Sequence, residues 1–158
     1  MSRRLENKIA IVTGGADGLG KAMCLKFAEE GATVIAADMR EITYGFGDDT
    51  EDDLGSIEGY ILDVSDGESC KSLFDFVMEK YGRIDVLVNN AGITRDALTR
   101  KMTDDQWDAV IAVDLTRYVG PQMEVQGAGS IISISSVVGE FGNIGQANYA
   151  AAKSGVIG

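Results

Sequence analysis

Residues 9–20 read IAIVTGGADGLG, and the fold turns on them. An apolar run stops at Thr13 and gives way to four glycines between Gly14 and Gly20, after which Leu19, Ala22, Met23 and Phe27 recur at helical spacing. The pattern is a strand, a tight turn and the start of a helix. Such a turn presents bare backbone N–H groups, and a helix N-terminus adds about half a positive charge, so the expected guest is a phosphate or pyrophosphate. Gly31 stands where a left-handed cap ends the helix, and a second apolar run from Thr33 to Ala37 ends at Asp38. Strand, helix and strand in immediate succession form a βαβ unit, which implies a parallel sheet with helices on its faces.

The same alternation continues outward. After an acid-rich connection from Arg40 to Ser56, which carries no motif, Tyr60 to Leu62 read as a third strand ending at Asp63. Ser65 or Asp66 caps a helix whose apolar face is Cys70, Leu73, Phe74, Val77 and Tyr81, and Gly82 ends it. Val86 to Val88 is a fourth strand running into Asn89, Asn90, Ala91 and Gly92, a small polar corner at the strand edge where parallel sheets bind ligands. Thr103 with Gln106 makes a capping box, and the helix it opens puts Trp107, Val110, Ile111 and Asp114 on one stripe. The helical pattern then runs through Tyr118 and meets Gly120 and Pro121. A fifth strand is predicted over Ser130 to Ser135 with Ser136 just past its end, and Asn148 to Ile157 read as a helix with Tyr149 and Lys153 at i and i+4.

Composition narrows the chemistry. At 158 residues, 45% hydrophobic and 25% charged, the chain suits a single soluble domain. A net charge of -11 argues against nucleic acid and anionic membrane as partners, because long-range attraction to phosphate needs excess Lys and Arg. There is no histidine, which excludes a Ser-His-Asp triad and histidine-held metals; no metal site is expected. General acid work falls to Tyr, Lys, Asp, Glu or Cys. Cys24 and Cys70 lie far apart inside helical patterns and read as buried free thiols of a reducing compartment. The first apolar run is too short for a signal peptide or a membrane span, so a cytoplasmic protein is expected.

Three motifs carry the functional reading. Gly15 to Lys21 fits the phosphate-loop template G-x-x-x-x-G-K, but the hydroxyl residue that would hold magnesium is replaced by Ala22, which argues against a nucleotide triphosphatase. The spacing present is Thr13-Gly14-x-x-x-Gly18-x-Gly20. Asp38, after the second strand, is placed to accept hydrogen bonds from both hydroxyls of an adenosine ribose and to repel a 2′-phosphate. Asp17 adds negative charge on that side, so NAD(H) is preferred, while nearby Arg40 leaves NADP(H) possible. A lysine within about 6 Å of a phenol stabilises the phenolate, which Tyr149 and Lys153 permit, and Ser136 is placed to hold a carbonyl oxygen from the other side.

Taken in order, Thr13-Gly14-x-x-x-Gly18-x-Gly20, Asn89-Asn90-Ala91-Gly92, and Ser136 ahead of Tyr149-Ala-Ala-Ala-Lys153 resemble the motifs of the short-chain dehydrogenase/reductase family over essentially the whole chain. The stretches NNAGITRDALTRKMTDDQWDAVI and GNIGQANYAAAKSGVIG are most similar to its 3-oxoacyl-[acyl-carrier-protein] reductase branch, which serves fatty acid biosynthesis. The resemblance implies a Rossmann-like, doubly wound α/β fold and reduction of a 3-oxoacyl thioester by hydride transfer. It implies that Tyr149 donates the proton, that Ser136 steadies the developing alkoxide, and that Lys153 holds the nicotinamide ribose. It further implies a cofactor site built from Gly14, Asp17, Gly18, Leu19 and Gly20, with Asp38 at the ribose and Asp63 with Val64 at the adenine. Asn90, Ala91 and Gly92 would form the wall beside the nicotinamide half.

Departures from the family pattern are also expected. Asp114 aligns with the asparagine of the family's catalytic set, and a carboxylate there cannot donate as an amide does. The segment from Asp114 to Ser136 is shorter than the family's, which bears on the helices through which members form dimers or tetramers. Residues 1–158 are thus expected to form one dinucleotide-binding domain, incomplete at the C-terminal sheet edge and lacking the usual substrate lid. The alternative to an enzyme is a truncated, non-catalytic nucleotide-binding or assembly scaffold of the same fold.

Overall fold

The structure, a computed structural model, describes residues 3–44, 55–92, 94–111 and 115–158. Five strands, β1 (Ile9–Thr13), β2 (Thr33–Asp38), β3 (Ser56–Ile61), β4 (Val86–Asn89) and β5 (Ser130–Ser133), form one sheet in the order β3-β2-β1-β4-β5. Every pairing is parallel. The connections hold α1 (Gly18–Glu29), α2 (Gly67–Tyr81), α3 (Asp104–Ile111), α4 (Thr116–Gln126) and α5 (Val137–Phe141), and α6 (Ala147–Ile157) follows. This is the Rossmann-like α/β architecture the βαβ pattern predicts.

Strand β1 is buried at all five positions because its two faces serve two cores. Ile9 and Ile11 join Ile35, Leu73, Val77, Leu87, Leu115 and Val119, the side covered by α2 and α4. Ala10 and Val12 join Val34, Val86, Val88, Cys24 and Ala28, the side covered by α1. An uninterrupted apolar run is what a parallel strand covered on both faces requires. Both cysteines are free and buried. At the N-terminal edge the Asp85 carboxylate, 6% exposed, accepts from Ile9 N–H at 3.0 Å and from Arg83 Nε at 2.9 Å, tying β1 to β4.

Several expectations shift. Helix α1 buries Gly20, Cys24 and Ala28, one position along from the predicted stripe, and Leu19 stands 71% exposed. The close approach of Gly20 to the Gly14 carbonyl puts the small residues at the centre of the contact with the sheet, while Met23 and Phe27 pack half-buried on the same core. Strand β3 begins at Ser56, earlier than its apolar residues suggest, because backbone pairing to Thr33 and Val34 needs no apolar side chain. Helix α4 runs straight across Gly120 and Pro121 to a left-handed cap at Gly127, held by the burial of Val119 and Met123. Strand β5 stops at Ser133, and the short helix α5, which periodicity does not announce, begins on Ser136 as its N-cap. The capping box is present, with Thr103 N–H to Gln106 Oε1 at 3.0 Å and Gln106 N–H to Thr103 Oγ1 at 3.2 Å. On the predicted stripe, Val110 is buried while Trp107 is 40% exposed.

Candidate active site at the C-terminal edge of the sheet

Parallel register delivers the ends of β1, β2, β3, β4 and β5 to one edge, and the sequence-predicted residues gather there. The glycine turn is packed against the corner after β4. A Cβ on Gly20 would stand 2.0 Å from Gly14 O, and one on Gly14 would stand 2.8 Å from Asn90 Nδ2, so both positions admit only glycine. Asn90 Nδ2 donates to Thr13 O at 2.9 Å and to Gly14 O at 3.4 Å. Thr13, 1% exposed, accepts at Oγ1 from Asn90 N–H at 3.1 Å and Ala91 N–H at 2.9 Å, and donates to Val88 O at 3.3 Å. The predicted site set omits this threonine, although it stands in plain view at the end of β1.

At the outer end of the turn Gly18 has φ +55° with nothing within 4 Å of where a Cβ would be, an open backbone face beside the start of α1. Asp17 caps that helix through Gly18 N–H at 2.7 Å, and exposed Leu19 follows. Asp38 Oδ2 accepts from Ala16 N–H at 3.1 Å, while its Oδ1 accepts from Arg40 N–H at 3.0 Å and Arg40 Nε at 3.2 Å. Burial works against the charge on Asp38, but those donors outweigh it and hold the carboxyl below its ordinary range. Tyr44, which no sequence signal marks, donates to Gly15 O at 2.5 Å and lies under Lys21 Nζ, 4.7 Å from the ring centroid. Burial and hydrogen bonding with Cys24 push its phenol above the usual range.

Asp63 follows β3 and is held ionised by hydrogen bonds from Ser65 Oγ at 2.7 Å and Ser65 N–H at 2.9 Å. Val64 packs on the core beside it. These residues fit an adenine dinucleotide: an open glycine face at a helix start for the pyrophosphate, and an ionised carboxylate at each of two neighbouring strand ends.

The reacting side is assembled by β5, α5 and α6. Ser136 Oγ accepts from Val138 N–H at 3.2 Å, which leaves its own O–H free to donate. Lys153 is 8% exposed and donates from Nζ to Ile134 O at 2.6 Å. Burial lowers its pKa from the usual lysine value. Its Nζ lies 5.8 Å from the Tyr149 ring centroid, and a Cβ on Gly92 would lie 3.5 Å from it. The predicted i, i+4 pair and the corner after β4 therefore meet. Helices α5 and α6 touch at Gly139, where a Cβ would stand 2.8 Å from the Lys153 carbonyl carbon, and Ser135 Oγ donates to Lys153 O at 2.8 Å. Asp114 lies outside the described residues. No group of His, Cys, Asp and Glu able to hold a metal occurs among the described residues.

A family model described as short chain dehydrogenase matches residues 8–158. The chain belongs to that family. A 3-oxoacyl-[acyl-carrier-protein] reductase, FabG, of Thermotoga maritima is 52% identical over 98% of this chain and 66% of its own length. Nodulation protein G of Azospirillum brasilense is 44% identical over 98% of this chain and 66% of its length. The crystal structure of a Burkholderia xenovorans protein assigned to the short-chain dehydrogenases/reductases superposes with a TM-score of 0.85 at 34% identity, covering 99% of this chain and 67% of that one. The chain spans just under two thirds of the length of the curated relatives it matches.

Proposed function

We propose that this short chain dehydrogenase is an NAD(P)(H)-dependent oxidoreductase that interconverts a ketone and a secondary alcohol, with 3-oxoacyl thioesters as substrate class. The observation that carries the reading is the meeting of Lys153 with both Tyr149 and the Gly92 corner at the ligand-binding edge of the sheet. When bound, the nicotinamide cofactor supplies the hydride. Gly14, Gly18 and Gly20 let the backbone approach its phosphates, Asp17 and Leu19 border them, and Asp38 takes the adenosine ribose. Asp63 and Val64 flank the adenine, and Asn90, Ala91 and Gly92 wall the nicotinamide half. The Tyr149 hydroxyl gives its proton to the carbonyl oxygen as that oxygen gains charge, and the free O–H of Ser136 steadies it. The Lys153 ammonium, anchored on Ile134 O by one N–H, keeps two more for ribose hydroxyls. By the sequence resemblance Asp114 is the residue proposed for the fourth catalytic position, where a carboxylate accepts but cannot donate.

NAD(H) is the preferred cofactor, because the ionised Asp38 faces the ribose; the guanidinium of Arg40 on that same carboxylate keeps NADP(H) possible. Fluorescence titration with NADH and NADPH, followed by turnover on an acetoacetyl thioester, tests the reading. Tyr149→Phe is expected to lower turnover by at least about 100-fold, a general acid's share, while NADH affinity stays within about threefold. Comparable turnover in Tyr149→Phe would refute the mechanism, and tighter NADPH than NADH binding would refute the cofactor preference. A cytoplasmic homo-oligomer, dimer or tetramer, is the assembly proposed. It is supported by exposed apolar Val125 on α4 and Val156 and Ile157 on α6. Among the described residues no helix is long and apolar enough to cross a membrane.

A further inference from the structure

Asn148 precedes Tyr149 and is completely buried, an uncommon place for an amide. Its Nδ2 donates to Gln106 O on α3 at 2.8 Å and to Arg95 O at 3.2 Å, in the stretch after the Gly92 corner. Its Oδ1 accepts from Tyr149 N–H at 2.8 Å, one of the first-turn groups a helix cannot satisfy from within. Both donors and one acceptor are used, so neither a carboxylate nor an apolar residue of the same shape could replace it. The neighbouring residues repeat the connection. Gln146 Nε2 donates to Asp96 Oδ2 at 3.1 Å, and Ala97 N–H donates to Gly145 O at 2.9 Å. Residues 95–97 and 145–148 are thereby latched side by side, and only two residues separate Arg95 from Gly92.

We propose that Asn148 is a positioning residue for Tyr149. With Gln146 it makes the Arg95–Ala97 stretch an abutment that fixes the first turn of α6 relative to the Asn90–Gly92 corner, and so fixes the distance between proton donor and substrate carbonyl. The inference rests on Tyr149 being that donor. Displacement of a reacting group by about 1 Å costs on the order of 100-fold in rate without loosening ligands held elsewhere. Asn148→Ser, which cannot span both carbonyls, is therefore expected to lower kcat by about 10- to 100-fold, with NADH Kd and substrate KM within about threefold.

The test pairs kinetics with the ring resonances of the five tyrosines in 13C-tyrosine-labelled protein, Tyr149 being identified by Tyr149→Phe. In Asn148→Ser the Tyr149 resonance should move, and its response to NADH should shrink, while the other four stay in place. A kcat within twofold of the parent, or an unmoved Tyr149 resonance, overturns the inference. If Asn148→Ser does not fold, Gln146→Ala decides: it must move the same resonance and lower kcat severalfold, or the role is structural only. Turnover surviving Tyr149→Phe, or an unsubstituted chain that neither binds NADH nor turns over, sinks the functional reading and this inference with it. An inactive Tyr149→Phe beside a fully active Asn148→Ser sinks the inference alone.

Discussion

Thr13→Val probes the joint between the glycine turn and the β4 corner with the least disturbance to packing. Valine keeps the volume and branching of threonine, so no cavity term enters and strand propensity is unchanged. What disappears is an oxygen using its full capacity, two bonds accepted and one donated. The three losses are unequal. Asn90 N–H retains Val88 O at 3.1 Å, and Val88 O retains Asn90 N–H, so only the Ala91 N–H loses its partner outright. An orphaned buried donor costs about 1–3 kcal/mol, and Ala91 is half-buried, which places the expected loss at about 1–2 kcal/mol. Urea unfolding followed by circular dichroism should show a lower midpoint with an unchanged m value. NADH binding should weaken as well, because Asn90 and Ala91 line the proposed cofactor wall. Thr13→Ser is the control. It keeps the oxygen and loses one methyl, about 0.8 kcal/mol, and should bind NADH normally. A loss below about 0.5 kcal/mol in Thr13→Val, or equal NADH weakening in both variants, would refute the assignment of this hydroxyl as the joint.

Two glycine substitutions should separate strain from collision. Gly18→Ala meets open space and carries only the left-handed backbone cost of about 1–2 kcal/mol, whereas Gly20→Ala must displace the Gly14 carbonyl; thermal melts should rank Gly20→Ala as clearly less stable. At the opposite edge, Asp85 is subject first to burial, which raises its pKa, and more strongly in sum to Arg83, Ile9 N–H and Lys8, which lower it. A depressed carboxylate stabilises the fold above about pH 4, its unfolded value, and the contribution is lost as pH falls through the folded value. Asp85→Asn should therefore cost about 2 kcal/mol at pH 7 and show a shallower loss of stability below pH 4 than the parent. An identical acid transition in the two proteins would refute it.

The βαβ units were legible because β1, β2 and β4 are apolar runs closed by turn or capping residues, and burial on both faces leaves that signature in any order of reading. Ser136, Tyr149 and Lys153 were singled out by the resemblance of the ordered motifs to the family; the i, i+4 spacing of the last two by itself only permitted the approach of Lys153 Nζ to the Tyr149 ring. Thr13 and Asn148 were visible as letters but not as functions: each acts through backbone groups of residues 42 to 78 positions away, and such partners have no sequence pattern. The centre of the α1 contact lies one position from the predicted stripe because periodicity weighs apolar size, while the approach to Gly14 O leaves no room for a side chain at Gly20; Met23 and Phe27 still pack half-buried on that core. Tyr44 lay in a stretch without periodicity, and its partner is a carbonyl oxygen, identical in every residue.

The contact at Gly139 also limits how the reaction could be redirected. Backbone approaches backbone there, and Ser135 Oγ and Ser154 Oγ each bond a carbonyl across the contact, so Ser136 at the start of α5 and the helix carrying Tyr149 form one unit held by a glycine and two small hydroxyls. Saturation libraries that seek a larger or smaller ketone by altering the Ser136-to-Tyr149 gap have only Gly139, Ser135 and Ser154 to vary, each of which holds the joint together. Selectivity must be engineered in the walls around that gauge, not in the gauge itself.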